Sequence, residues 1–149
     1  MQTLPITLTV AGAAALLNLW LSIRVSLLRR RHRVSIGDGG NEAVATRMRA
    51  HANFTEYAPS FLILLGLVEL ARGSQTWLWA VAILFVLGRL AHAFGMDRPA
   101  PNALRIGGMM ATYVPLLALA GYALAIPYTE RTGRTSISYA DASSSTKLS

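Results

Sequence analysis

The chain has 149 residues, 53% of them hydrophobic and 14% charged, with a mean hydropathy of +0.41. Soluble domains carry about 25% charged residues, so the composition excludes both an ordinary water-soluble globule and a wholly disordered chain. Fourteen Lys and Arg against seven Asp and Glu give a net charge of +7, and the absence of cysteine excludes disulfides, thiolate metal sites and a protein thiol nucleophile.

A bilayer core about 30 Å thick is crossed by roughly 20 apolar helical residues, and four segments qualify. The first is predicted from Pro5 to about Leu28; it is uncharged up to Ile23, and no Lys or Arg precedes it, so it reads as a retained span rather than a signal peptide. Arg29, Arg30, Arg31 and Arg33 follow it. The segment Val34 to Asn41 is a loop, with Gly37, Gly39 and Gly40 supplying turns and Asn41 placed to cap the next helix. That second helix is predicted from Glu42 to Arg72. At 1.5 Å per residue it spans about 45 Å, more than the hydrocarbon, and Pro59 should bend it. After Gly73-Ser74-Gln75 the third helix runs from Thr76 to Met96, with Trp77 and Trp79 at the outer interface. The stretch Asp97 to Pro101 breaks it, Asn102 caps the fourth helix, and that helix is predicted from Ala103 to Ile126. Residues 1–128 thus read as one all-α, four-transmembrane-helix domain, and 129–149 as a disordered polar tail. Arg-rich first and third loops predict both termini outside and those loops in the cytoplasm.

Ionisable side chains inside membrane spans are costly and mark function by default. Arg49, Asn53 and Glu56 fall at i, i+4 and i+7 on one stripe of the second helix, Arg89 and His92 at i and i+3 on the third, and Arg105 opens the fourth. With alternating helix directions, all lie at the end of the bundle that also carries Arg29 to Arg31. An excess of guanidinium favours a ligand with several carboxylates; Glu56 can take an ammonium, and Asn53 both donates and accepts. A small zwitterionic peptide with two carboxylates fits that inventory, and glutathione is one such molecule.

The stretch Arg49-Ala50-His51-Ala52-Asn53-Phe54-Thr55-Glu56-Tyr57-Ala58-Pro59 resembles the signature of the MAPEG family, membrane-associated proteins in eicosanoid and glutathione metabolism. The run ending Arg33-Val34, the string Gly88-Arg89-Leu90-Ala91-His92 and Arg105 at the head of the fourth helix agree with it, so the resemblance covers about residues 10 to 126. It implies a homotrimer of four-helix subunits with glutathione as co-substrate, bound between neighbours, and a small hydrophobic second substrate. It implies glutathione contacts for Arg49, Asn53, Glu56 and Tyr57, a carboxylate contact for Arg29 or Arg30, and a further contact for His92. Arg105 resembles the arginine that stabilises the glutathione thiolate, and a cation beside a thiol does favour its ionised, nucleophilic form.

Two functions follow: a membrane-bound glutathione-dependent transferase or peroxidase acting on hydrophobic electrophiles, and a non-catalytic trimeric membrane protein binding a lipid or thiol ligand. The second draws on Met96 and Ala52, which stand where many family members carry Tyr and some carry Arg. At each position a structural reading stands beside the functional one. Arg49 would pair with Glu56, Arg89 with Glu56 or Asp97, His92 would bond across helices, and the Arg run would touch anionic headgroups. No metal site is expected from the histidine spacing, and the basic residues flank apolar spans rather than forming a nucleic-acid module.

Overall fold

The computed structural model describes residues 3–145, with side chains to residue 129. It contains four helices: α1 (Pro5–Arg31), α2 (Glu42–Arg72), α3 (Thr76–Met96) and α4 (Ala103–Ser145). Each is long and apolar enough to cross a membrane.

The bounds of α2 and α3 are those expected, because their stop signals are local. The Asn41 side chain accepts the Val44 amide at 3.2 Å and starts α2. Gly73, at φ +76°, ends it and returns its N–H to the Glu69 carbonyl at 2.8 Å. Helix α2 passes through Pro59 unbroken.

The first helix runs one turn further than expected. Arg29, Arg30 and Arg31 are good helix formers, and their charge suits a helix C-terminus. The fourth does not stop at Ile126: α4 continues through Pro127 to Ser145, over most of the stretch read as a polar tail. Beyond Pro127 that stretch holds no proline and a single glycine, Gly133, so nothing local ends the helix. The rest of the expected tail, residues 146–149, lies outside the described residues.

The helices alternate in direction. Helix α2 touches all three others, while α3 and α4 form the most extensive pair. Ile6, Val10, Ala14, Leu17 and Leu21 form the buried stripe of α1, at helical spacing. It meets Phe54, Phe61, Leu65 and Val68 of α2, and Phe61 stacks on Phe85 of α3 with ring centroids 3.8 Å apart. In each span fewer than half of the residues are buried, as expected where the solvent is lipid. At the end opposite the Arg-rich loop, Trp77 packs edge-on against Tyr122 at 5.0 Å, an aromatic pair suited to the headgroup boundary.

Helices α3 and α4 approach closely at glycines. A Cβ added to Gly108 would lie 2.5 Å from the His92 nitrogen and 2.7 Å from the Gly88 carbonyl oxygen. Small residues of this kind let membrane helices pack backbone to backbone. That seam fixes which α3 side chains face α4.

Candidate functional site

The polar residues of α2 divide by helical phase. Asn53 and Tyr57, one turn apart, are half-buried toward α3 and α4, whereas Arg49, Ala52 and Glu56 lie exposed on the outer side. On α3, Arg89, His92 and Met96 are all buried. On α4, Thr112 is buried, while Arg105 and Tyr113 are exposed.

Arg89 is the hub, at 1% exposure. Its guanidinium donates to Asn53 Oδ1 at 2.6 Å and to Thr112 Oγ1 at 3.0 Å, and lies 3.5 Å from His92 Nδ1. Phe54 lies beside it, its ring centroid 6.0 Å from the guanidinium carbon. One layer outward, the hydroxyls of Tyr57 and Tyr113 are 3.2 Å apart, with the rings edge to face. The start of α4 packs on the end of α3, where a Cβ on Gly95 would meet the Arg105 backbone, one turn along from His92; Glu56 adjoins Tyr57 on α2. One neighbourhood at the α2–α3–α4 junction therefore holds two guanidinium groups, an imidazole, an amide, two phenols and a carboxylate.

Arg105 sits at the first turn of α4, which Asn102 caps by accepting the Arg105 amide at 2.9 Å. The Asn102 side-chain amide also donates to the Gly95 carbonyl at 2.9 Å, tying the end of α3 to the start of α4. Arg105 and Tyr113 line a cleft of about 380 Å³ whose middle is Ile106, Met109 and Met110. Such a cleft offers a cation at one end, a phenol at the other and an apolar floor between.

Arg29 lies elsewhere. It donates to the Gly37 carbonyl at 2.7 Å, holding the α1–α2 loop. It lines a separate cleft of about 430 Å³ between α1 and α2, with His51, Ala52 and Thr55. Arg30 is exposed beside it in the last turn of α1. Within one chain, then, Arg29 and Arg30 do not join the Asn53–Arg89 cluster.

The expected structural pairings need correction. Among the described residues the ion pairs are Arg24 with Asp97 and Arg47 with Asp97, the latter at 3.5 Å. Asp97 is thus taken by α1 and α2 and does not reach Arg89. Arg49 and Glu56 form no ion pair, since two helical turns separate them and both face outward. Met96 contributes to a different cleft, of about 440 Å³, with Arg47, Asp97 and Arg98.

Sequence reading left three members of this site unweighed or underweighed: Arg89 as its centre, and Thr112 and Tyr113 as partners. A signal was present for Arg89, because a lone guanidinium deep in an apolar helix must find acceptors on its neighbours. Nothing in the spacing of α4 picked out Thr112. Among the described residues, no three His, Asp or Glu side chains gather to hold a metal ion.

Comparison with known proteins adds two findings. A model of the MAPEG family matches residues 7–125. The chain is also 34% identical over 110 residues to the Inner membrane protein YecN of Escherichia coli (strain K12), covering 73% of this chain and 82% of the relative. The same protein from Escherichia coli O6:H1 matches to the same extent.

Proposed function

The chain belongs to the MAPEG family, and from that premise we propose that it is a membrane-bound glutathione-dependent transferase or peroxidase acting on hydrophobic electrophiles. The observation that carries the reading is the buried Arg89 guanidinium, held by Asn53, Thr112 and His92 and, among the described residues, in no ion pair with a carboxylate. A buried cation of this kind calls for an anion, and glutathione brings two carboxylates and an ionisable thiol. Glu56 is the carboxylate placed to receive its ammonium group.

In this reading Arg105 stabilises the thiolate, which is the nucleophilic form. With an aryl chloride the sulfur attacks the ring carbon, the C–S bond forms as the C–Cl bond breaks, chloride leaves, and the thiol proton passes to solvent. The apolar floor of the Arg105–Tyr113 cleft, formed by Ile106, Met109 and Met110, receives the electrophile from the lipid side. A neighbouring copy in a homotrimer supplies Arg29 or Arg30 as a carboxylate contact. Burying Arg49, Glu56 and Arg105 against another copy would also remove exposed charge from the membrane-facing surface.

A second reading, a non-catalytic trimer that binds a lipid or thiol ligand, is favoured by Met96. Its side chain offers no hydrogen-bond donor and lines the cleft with Arg47, Asp97 and Arg98, apart from the Arg105–Tyr113 cleft. One experiment separates the two. Detergent-purified protein is assayed for glutathione conjugation to chlorodinitrobenzene alongside Arg105→Ala, and for glutathione binding by calorimetry alongside Asn53→Ala/Glu56→Ala. The transferase reading expects turnover that falls roughly a hundredfold in Arg105→Ala and binding heat that vanishes in the double variant. Binding without turnover favours the second reading, and an absence of wild-type binding heat removes both for glutathione.

A further inference from the structure

A guanidinium carries five N–H donors and no acceptor. Every polar atom that Arg89 touches must therefore accept. This bears on two assignments that atomic positions ordinarily leave open, the orientation of an asparagine amide and the tautomer of a histidine. The Asn53 atom 2.6 Å from Arg89 must be Oδ1. The His92 ring nitrogen facing it at 3.5 Å, Nδ1, is at the outer reach of a hydrogen bond, and a proton there would point at the cation, so the geometry favours the unprotonated form. Thr112 can accept from Arg89 at 3.0 Å because its own hydroxyl proton is already given to the Gly108 carbonyl, 2.9 Å away.

We infer that Arg89 is a positioning residue: by engaging Asn53 Oδ1 and His92 Nδ1, it fixes which end of each side chain is free to donate. Asn53 is left with its Nδ2 hydrogens and His92 with Nε2–H. Arg105 adds a cation nearby, its backbone packed against Gly95 one turn along α3 from His92. The free N–H groups of Asn53 and His92 then favour a ligand's carboxylate, carbonyl or thiolate over an ammonium, which is left to Glu56.

Arg89 itself adds to the bias. Among the described residues neither ion pair includes it, and its Nε is buried without a hydrogen-bond partner.

The choice of glutathione as probe rests on the function proposed above, whereas the tautomer does not. The full chain, labelled with nitrogen-15 histidine and held in detergent micelles at pH 8, is read by ring-nitrogen NMR, and the His92 signal is assigned by its loss in His92→Gln. At that pH an ordinary imidazole is neutral. Wild-type His92 is expected to carry its proton on Nε2. In Arg89→Met the preference should relax to a mixture of tautomers, and Arg89→Lys should hold it in part. Glutathione affinity should fall roughly tenfold or more in Arg89→Met and less in Arg89→Lys. A wild-type proton on Nδ1 overturns the inference without any variant having to fold. So does a folded Arg89→Met that keeps both tautomer and affinity. A tautomer that depends on Arg89, in a protein that binds no glutathione, leaves this inference standing and sinks the glutathione reading.

Discussion

The carboxylate of Glu69, fully buried near the end of α2, belongs by its contacts to α1. That helix begins without a cap of its own: Leu4 has no capping side chain, and Pro5 has no N–H to satisfy. The next two amides, of Ile6 and Thr7, donate to Glu69 at 3.0 and 2.8 Å. The Thr7 and Ser74 hydroxyls complete the cluster, each at 2.7 Å. One side chain thus caps α1 from a neighbouring helix and pins the α2–α3 turn. Removing an N-cap costs about 1 kcal/mol, and leaving buried donors unpaired costs about 1–3 kcal/mol more. Glu69→Ala should therefore destabilise the bundle by roughly 2 kcal/mol or more. Glu69→Gln, which keeps one acceptor oxygen, should lose less. Thermal unfolding in detergent reads both, and an unchanged midpoint for the alanine variant would show that the tie contributes nothing.

Between elements, the α3–α4 seam carries the site. Gly88 meets Ala111, and Gly108 meets the backbone of His92. This contact sets Arg89 opposite Thr112 and brings Arg105 to the end of α3, one turn along from His92. Two adjacent glycines test it. A methyl at Gly108 would press on backbone atoms, which cannot give way, whereas one at Gly107 meets nothing within 4 Å. Gly108→Ala should cost about 1–3 kcal/mol by overpacking. Gly107→Ala should be neutral or gain up to about 1 kcal/mol from helix propensity. Equal midpoints in denaturant titrations of the two variants would contradict a close-packed seam. Because the seam holds the hub, Gly108→Ala should also weaken glutathione binding, and Gly107→Ala should not.

For the molecule as a whole, the basic loops predict orientation, and a chain without cysteine is a clean background for testing it. Ser35→Cys in the α1–α2 loop should be shielded from a membrane-impermeant maleimide in intact cells. Thr76→Cys at the start of α3 should be labelled; the reverse pattern would invert the proposed topology. Span number and the bounds of α2 and α3 were legible in the sequence, because apolar length, Asn41, Gly73 and Asp97 act locally. So was the grouping of Asn53, His92 and Arg105 at one end, which follows from antiparallel helices of known length. Other features were not legible. Spacing along α2 puts Asn53 and Glu56 on one stripe, yet packing turns the first toward Arg89 and leaves the second exposed. Asp97 reads as a helix breaker, yet it gathers Arg24 and Arg47. Glu69, a carboxylate in an otherwise apolar run, must find donors but does not name them, and Thr112 gives no signal in the linear pattern. What the sequence determined by itself is the set of membrane-length helices, most of their ends and the inventory of polar groups, since these depend on residues within a few turns. Only the tertiary structure decided which polar groups meet, because that depends on the rotation of each helix about its axis, and in α3 and α4 the rotation is set by glycines packed against a neighbouring backbone.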